Sequence, residues 1–453
     1  MPRMEKPKPK IEIKSSQGFV VGDFATVINN FWDEQVLKRF SLIQQGGFIL
    51  LAFLVIIVGV ALFLALQPHK PETMTGDFSI AVATFVENGS SSQKNVGYEL
   101  AISVQSHLES DLAEINPKLA ITVWGPDKVG VITGKTDEDR AVQAAQLAKR
   151  IHANMVIYGV VDFDQDRWEV RPEFYISEEN FYEAWEVVGQ HELGLPLNLS
   201  GTSVTAWKYE FGEQMFVRSK VLAAISVGLG YFAVQKYDLA LETFQSALKI
   251  PDWTDNQGKK VLYAMIGFSA GKAGQYDIAE NALNQAIKLD PNYSRPYIGL
   301  ANLSYMQALT PFDRSKNPKD IDLPLLEGCF KYLDSAEQAR EKPPLAEVAT
   351  KIHFSRGQCY WLKTYAGELP TFALAVSEFQ QVIGEYADGK NPHVQELAGE
   401  AYARLGLIHN LMGENSLAAQ DYQKAADLLE DIPERRDLYQ KRVNALLAIT
   451  PTP

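Results

Sequence analysis

The most continuous apolar segment of the chain is GGFILLAFLVIIVGVALFLAL, residues 46–66, which contains no charged side chain. An α-helix rises about 1.5 Å per residue, so this segment would be roughly 30 Å long, the thickness of the hydrocarbon layer of a bilayer. A buried core helix is usually shorter, and the apolar part of a secretion signal spans only about 7–15 residues near the amino terminus. The pattern therefore predicts a single transmembrane helix in contact with membrane lipid.

Basic residues around this segment predict its orientation. Lys38 and Arg39 precede it closely, whereas Lys70 is the only Lys or Arg between the segment and Lys94. Because cytoplasmic flanks are enriched in Lys and Arg, we expect the amino terminus in the cytoplasm and the bulk of the chain outside it.

The segments on either side of the apolar stretch have a different composition. Residues 1–45 are predicted as a cytoplasmic tail, in which a disordered Pro/Lys-rich arm precedes short β-type runs and an amphipathic segment. Two hypotheses stay open for this tail: a small self-association element, or a loosely ordered juxtamembrane segment. Residues 67–76 contain prolines that would end a helix, and they are predicted as a linker.

Residues 77–200 alternate between strand and helix patterns. The predicted elements are strands at 78–85, 120–124, 154–163 and 167–177 and helices at 96–115 and 137–152. In the last strand Trp168, Val170, Phe174 and Ile176 alternate with other residues and would share one face. This order predicts a small α/β layer domain.

The same order, with the stretches IAVATF and AAQLAKRIHANMVIYGVV, resembles the amino-terminal α/β domain of the TolB type found in bacterial envelope and tetratricopeptide-repeat (TPR) proteins. The resemblance covers residues 77–200. It implies a domain for binding or assembly without catalysis.

Residues 205–449 read as helices in which a glycine recurs with further positions 3, 12, 16 and 19 residues after it. The three registered sets are Gly228, Tyr231, Ala240, Phe244 and Ala247; Gly267, Ala270, Ala279, Leu283 and Ala286; and Gly406, His409, Ala418, Tyr422 and Ala425. This spacing resembles the tetratricopeptide repeat, in which small residues let two antiparallel helices approach and a large residue fills the gap. These side chains are predicted to pack the repeats, in an all-α solenoid that follows the α/β domain.

Two further units are less regular. Residues 294–339 would form a hairpin whose helices are separated by TPFDRSKNPKDIDLP, and residues 344–387 another with a longer turn. The helix at 434–449 would cap the stack. Cys329 and Cys359 fall on successive helices; we expect buried thiols, although a disulfide between them is geometrically feasible.

The repeat resemblance implies a concave groove that binds a peptide or a helix of a protein partner. Some such arrays grip a carboxyl terminus with fixed Lys, Asn and Arg side chains. Here Leu229 and Phe268 stand at corresponding places, so an apolar helix or a neighbouring copy of the chain is the favoured occupant.

Charge and candidate chemistry narrow the function. The formal net charge is −13, and residues 1–70 carry more basic than acidic side chains, so the remainder is more acidic still, which argues against nucleic acid as a partner. The stretch GVITGKT, Gly130 to Thr136, has one residue too few between its glycines for a phosphate-binding loop. The same residues fit the start of a helix, at which Thr136 and Asp139 would form a capping box.

Neither a catalytic nor a metal motif is apparent. The histidines are scattered at positions 69, 107, 152, 191, 353, 393 and 409 without metal-ligand spacing, and the adjacent Glu178 and Glu179 are expected to be solvated. We therefore predict no cofactor, no metal, no catalytic residue and no enzymatic activity. The favoured function is a membrane-anchored scaffold or adaptor. The first alternative is a structural subunit of a membrane-anchored homo-oligomer or larger complex, and the second a nucleotide-binding enzyme acting through the α/β domain.

Overall fold

A computed structural model describes residues 72–89, 95–115, 117–164, 167–178, 181, 186–199, 204–253, 256–341, 347–389, 394–430 and 432–449. The predicted cytoplasmic tail, the predicted transmembrane helix and the first half of the predicted linker lie outside these residues. The described residues form a sheet with its covering helices and an array of helical hairpins.

Seven strands form one mixed sheet with the order β3-β1-β4-β5-β6, in which β2 also pairs with β4 and β7 with β5. The strands are β1 (Phe78–Val82), β2 (Val86–Asn88), β3 (Ile121–Trp124), β4 (Met155–Asp164), β5 (Arg167–Ile176), β6 (Gly189–Glu192) and β7 (Leu197–Leu199). Strand β1 is parallel to β3 and β4, whereas β4 and β5 form an antiparallel hairpin. The helices that accompany the sheet are α1 (Val96–Ile115), α2 (Pro126–Val129) and α3 (Asp137–Ile151).

The expected strand at 78–85 is shorter in the structure, because β1 ends at Val82 and β2 begins only at Val86. The sequence patterns also missed α2, β6 and β7, all of which are four residues long or less. Such short elements contain too few positions to show a periodicity.

The sheet separates two apolar layers. Phe78, Ile80 and Val82 pack with α1 on one face, while Ala81 and Ala83 pack with α3 on the other. The alternation of large and small side chains along β1 thus assigns each face its helix, as expected for successive residues of a strand.

Helix α4 (Val204–Ala233) belongs to both the sheet region and the array. Its Ser226 hydroxyl lies 3.5 Å from the Met155 sulfur in β4, and the Tyr231 hydroxyl accepts a hydrogen bond of 3.3 Å from the backbone N–H of Lys118. The sheet and the first hairpins therefore share one apolar core. A helix buried on several sides is apolar nearly all round.

Among the described residues, one helical segment, Lys208–Ala233 within α4, has the length and hydropathy that a membrane crossing would need. Of its most apolar window, 72% is buried inside the protein. Its composition is accounted for by packing against the sheet and the array.

Beyond α4 the chain forms antiparallel helical hairpins and a last single helix. The helices are α5 (Tyr237–Ala247), α6 (Asn256–Lys272), α7 (Tyr276–Leu289), α8 (Ser294–Ser315), α9 (Leu323–Gln338), α10 (Val348–Tyr365), α11 (Phe372–Gly389), α12 (Gln395–Leu411), α13 (Asn415–Leu428) and α14 (Pro433–Ile449). The hairpins pair α4 with α5, α6 with α7, α8 with α9, α10 with α11 and α12 with α13. Helix α14 packs on α13 and ends the described region of the stack.

One expected loop is partly helical. Residues 310–324 were expected to separate a pair of helices, but α8 continues through Pro311 and ends at Ser315. Lys316 follows in the left-handed conformation, with φ of 59°, and donates its backbone N–H to the Phe312 carbonyl. Pro311 has no backbone N–H, so one hydrogen bond of the helix is lost. The helix continues for only about one turn beyond Pro311, so this loss is tolerated.

Cys329 and Cys359 form a disulfide that joins α9 to α10, with their Cα atoms 6.7 Å apart. The expectation of two free buried thiols is therefore wrong, and the alternative that the helix positions allowed is the one observed. Both sulfur-bearing residues are buried, so the bond lies inside the stack.

Candidate functional site

A cavity of about 220 Å³, which we call the groove cavity, lies among the helices of the array. Helices α6, α8, α10 and α12, the first helices of four successive hairpins, provide most of its wall. Phe268, Leu303, Met306 and Phe354 form the apolar portion of this wall, and Glu186 reaches it from the sheet region of the molecule. The cavity is therefore built jointly by the array and by the segment that precedes β6.

Several polar side chains face the same cavity; they are Glu186, Lys272, Asn302, Ser355, Gln358, Glu400 and Arg404. Glu186 Oε2 and Arg404 Nε are buried and have no hydrogen-bond partner among the described residues. Burial raises the pKa of the Glu186 carboxyl. Since an unpaired buried polar atom costs free energy, these two atoms are suited to meet a ligand that offers a donor to Glu186 and an acceptor to Arg404.

Glu400 has a different environment. The Tyr439 hydroxyl donates its proton to this carboxylate and lies 3.0 and 2.9 Å from its two oxygens, and Arg435 lies 3.4 Å away. Helix α14 thereby neutralises one of the acidic groups of the cavity wall. Glu186 and Arg404 are left as the polar groups best placed for recognition.

Arg295, at the start of α8, fastens the sheet region to the array. Its guanidinium donates to the backbone carbonyls of Glu186 (3.2 Å), Val188 (3.0 Å) and Gln190 (2.6 Å). The side chain is completely buried, and its Nε donates to Glu341 over 2.8 Å. An arginine offers five N–H donors, so one side chain satisfies three carbonyls and a carboxylate at once.

The imidazole of His191 lies beside this guanidinium, with 2.9 Å between His191 Nε2 and Arg295 Nη1. Burial and the neighbouring positive charge lower the pKa of His191 well below its usual range. The ring is therefore neutral, and it stacks on Phe174 of β5 with 5.0 Å between ring centroids.

A second buried ion pair supports β6 from inside the sheet region. Arg140 of α3 donates to Glu173 of β5 through Nε (3.1 Å) and Nη2 (2.6 Å), and Gln190 Nε2 donates to the same carboxylate over 2.8 Å. Gln190 also presents its carbonyl to Arg295. Two buried arginines thus hold β6 between α3 and α8.

The loop that resembles a phosphate-binding sequence forms a helix cap. The Thr136 hydroxyl accepts from the backbone N–H of Asp139 (3.1 Å), and the Asp139 carboxylate accepts from the backbone N–H of Thr136 (3.3 Å). Both halves of the expected capping box are present. These bonds use two of the donors at the amino end of α3 that a phosphate would otherwise need.

The residues proposed to pack the repeats lie inside the hairpins. A Cβ added to Gly228 would overlap the Phe244 ring, one added to Gly267 would lie 2.5 Å from Leu283, and one added to Gly406 would lie 3.1 Å from Tyr422. Of the other members of the three sets, Tyr231, Ala240, Ala247, Ala270, Ala279, Ala286, Ala418 and Ala425 are at most 9% exposed, whereas the His409 side chain is 22% exposed. Each glycine therefore faces the large residue sixteen positions after it.

The two positions that argued against a carboxylate-gripping groove differ in location. Leu229 is buried in the core that the array shares with the sheet. Phe268 lines the groove cavity. The sequence patterns did not identify five charged residues of this region: Glu186, Arg295, Glu341, Lys351 and Arg404. A charged residue within an apolar helical stretch could have indicated Arg295, Lys351 and Arg404.

These features define an α/β layer and a solenoid of paired helices that share one apolar core. Residues 261–293, which cover most of α6, all of α7 and the turn between them, match the family model of the tetratricopeptide repeat. The hairpin of α6 and α7 is therefore a tetratricopeptide repeat.

Comparison with known proteins gives more distant similarities. An uncharacterized protein, ycf37, of Guillardia theta is 30% identical over 101 residues, which are 22% of this chain and 54% of that protein. The chain thus spans about half the length of this curated relative.

Among solved structures, a thermophilic TPR protein of Thermus thermophilus is similar over 49% of this chain and 98% of its own, with 20% identity and a TM-score of 0.36. The C-terminal part of a TPR repeat-containing protein from Cytophaga hutchinsonii is similar over 51% and 85%, with 15% identity and a TM-score of 0.29. Yeast Tom70 is similar over 54% and 58%, with 15% identity and a TM-score of 0.27.

Proposed function

We propose that this chain is a membrane-anchored scaffold that binds a protein partner in the groove of its repeat array. The observation that carries the proposal is the groove cavity, in which two buried polar atoms, Glu186 Oε2 and Arg404 Nε, have no hydrogen-bond partner among the described residues. Tetratricopeptide repeats commonly mediate contacts between proteins. A peptide offers what the cavity needs: backbone donors and acceptors together with an apolar side chain for the wall of Phe268 and Phe354.

The sheet region, proposed to be of the TolB type, has a structural role in this function. Arg295 holds the segment before β6 at the edge of the groove, and that segment supplies Glu186 to the cavity. Binding would therefore not require the sheet and the array to reorient. A preorganised site loses less free energy to ordering when the partner binds.

The proposed location is the outer side of a bacterial cytoplasmic membrane, with residues 46–66 as the anchor and the amino terminus in the cytoplasm. The cation bias around that segment supports this orientation. The Cys329–Cys359 disulfide also supports it, since disulfides persist in oxidising compartments and are rare in the cytosol.

Cross-linking of the tagged full-length chain in intact cells, followed by mass spectrometry, tests the scaffold function. The groove variant is Gln358→Trp, which places a large ring in the cavity, and the matched control is Val142→Trp on the exposed surface of α3, where Val142 is 43% exposed. We expect the wild type and the Val142→Trp control to cross-link to the same partner proteins, and we expect Gln358→Trp to lose these cross-links. Recovery of the same proteins with both variants, or of no specific protein with the wild type, contradicts the proposal. Recovery of this chain alone would favour the homo-oligomer.

A further inference from the structure

The five second helices of the hairpins share an exposed aliphatic residue at one position. It is the third residue of α5, α7, α9, α11 and α13, and the set, which we call the turn-edge ladder, consists of Leu239, Ile278, Leu325, Leu374 and Leu417. Their exposed fractions lie between 39% and 47%. Each second helix begins directly after the connection from its first helix, so the ladder follows the edge of the stack at which these connections lie.

Packing of the hairpins does not require these side chains. The next residue along each helix, Ala240, Ala279, Leu326, Ala375 or Ala418, is completely buried and fills the hairpin core. The ladder residue itself leaves about two fifths or more of its surface open to solvent, at the margin of that core. Single exposed aliphatic residues are common on protein surfaces, but here one recurs at the same place in every hairpin and forms a repeated apolar feature.

The ladder widens towards the carboxyl end of the array. Leu411, the last residue of α12, and Met412, which follows it, are 57% and 53% exposed and lie close in the chain to Leu417. The apolar feature therefore ends in a larger patch, of the kind that marks interaction surfaces.

Charge around the ladder indicates what could cover it. Helix α5 contains no basic residue, and α7 contains only Lys288 in its last turn. Asp238, Glu242, Asp277 and Glu280 are exposed on these helices beside Leu239 and Ile278. Beside Leu239 and Ile278 these four carboxylates outnumber the exposed Lys236 that precedes α5. This part of the stripe therefore complements an amphipathic helix whose apolar face is bordered by Lys or Arg. A second copy would bring carboxylates against carboxylates, and an anionic membrane would be repelled.

The spacing of the ladder also fits a helix. Helices that pack on one another lie about 8–10 Å apart, and a helix rises about 1.5 Å per residue. Successive ladder positions are thus at least about five to seven residues apart along a partner helix that crosses the hairpins. We propose that the turn-edge ladder is a second binding surface, which takes a basic amphipathic helix of a partner protein. This surface is separate from the groove, so the proposal does not depend on what the groove binds.

A labelled peptide tests this surface with the full-length chain in phosphatidylcholine nanodiscs. The probe is a helical peptide of about four heptads, with leucine at the apolar positions and lysine beside them, and binding is followed by fluorescence anisotropy. The ladder variant is Leu239→Gln, Ile278→Gln and Leu325→Gln together. The control combines Val131→Gln, Val142→Gln and Leu195→Gln, which replace equally exposed apolar residues of the sheet region.

We expect the ladder variant to bind the lysine peptide at least about tenfold more weakly than the wild type, and the control to bind it as the wild type does. We also expect a peptide with glutamate in place of lysine to bind poorly, because it repels the carboxylates of α5 and α7. Equal binding by the two triple variants, or equal binding of the two peptides, overturns the proposal. Concentration-dependent self-association that the ladder variant abolishes would assign the surface to a second copy and overturn it as well.

Discussion

Arg295 and Glu341 form an ion pair that is withdrawn from solvent: Arg295 Nε lies 2.8 Å from Glu341 Oε1, and the two side chains are 0% and 5% exposed. Glu341 also accepts a hydrogen bond from the backbone N–H of Ser294. The pair holds the guanidinium in place for the carbonyls of the segment before β6. It is therefore the main polar link between the sheet and the array.

Arg295→Met should lower the free energy of unfolding by about 3–5 kcal/mol, because the substitution removes the charged partner of a buried carboxylate and the donor to three carbonyls. Urea unfolding of the full-length chain measures the loss. Lys316→Met is the control, since Lys316 and Asp313 form an exposed pair at 3.7 Å and the change should cost less than about 1 kcal/mol. Equal losses for the two variants would show that Arg295 does not fasten the sheet to the array.

Gly228→Ala should destabilise the array by about 1–3 kcal/mol, because the new methyl group would overlap the Phe244 ring and force it to move. Gly212→Ala is a matched control in the same helix, where nothing lies within 4 Å of the added atom. That change should leave stability unchanged or raise it by up to about 1 kcal/mol. Thermal unfolding distinguishes them, and Phe244→Leu should partly rescue Gly228→Ala. A neutral Gly228→Ala would contradict the packing described.

Lys351 gives a pH-dependent prediction. Burial, with Arg295 nearby, lowers its pKa from 10.5 to about 8. The folded state therefore loses this proton at a lower pH than the unfolded state does, so the contribution of Lys351 to stability rises between about pH 8 and pH 10.5. Lys351→Met should remove this rise and stabilise the protein near pH 7, where the charged amine is buried at a cost. Urea unfolding at several pH values measures both effects. An unchanged pH profile in Lys351→Met, with Lys316→Met as the reference, would contradict the assignment.

The disulfide gives a prediction for stability and for location. Cys329 and Cys359 are 30 residues apart, so reduction should lower the free energy of unfolding by about 3–4 kcal/mol. The double variant Cys329→Ala/Cys359→Ala should be insensitive to reductant. The sequence contains no other cysteine. When cells are quenched with acid and the protein is alkylated, both cysteines should therefore be unreactive until reductant is added. Two freely alkylated thiols would contradict both the bond and the proposed compartment.

Local elements were predictable from the sequence where periodicity is long and strong. Helix α1 has the expected bounds of 96–115, and β5 shows the expected burial of Trp168, Val170, Phe174 and Ile176. Long-range contacts were not predictable. Arg295 donates a hydrogen bond to the carbonyl of Glu186, which is 109 residues away in the chain. A local sequence pattern does not show that an arginine at the start of a helix will bind a segment at that distance. Consequently the closure of the groove cavity by the sheet region was not anticipated.

Site-specific photo-cross-linking in living cells tests most directly whether the groove binds a protein. A benzophenone amino acid replaces Met306 in the wall of the groove cavity, and the same amino acid replaces Val142 on exposed α3 as the reference. We predict a discrete adduct with a protein partner from position 306 and none from position 142. We also predict loss of this adduct when Glu186→Met and Arg404→Met remove the two unpaired polar groups. Adducts that are identical from both positions, or that persist unchanged in the double variant, would contradict the account.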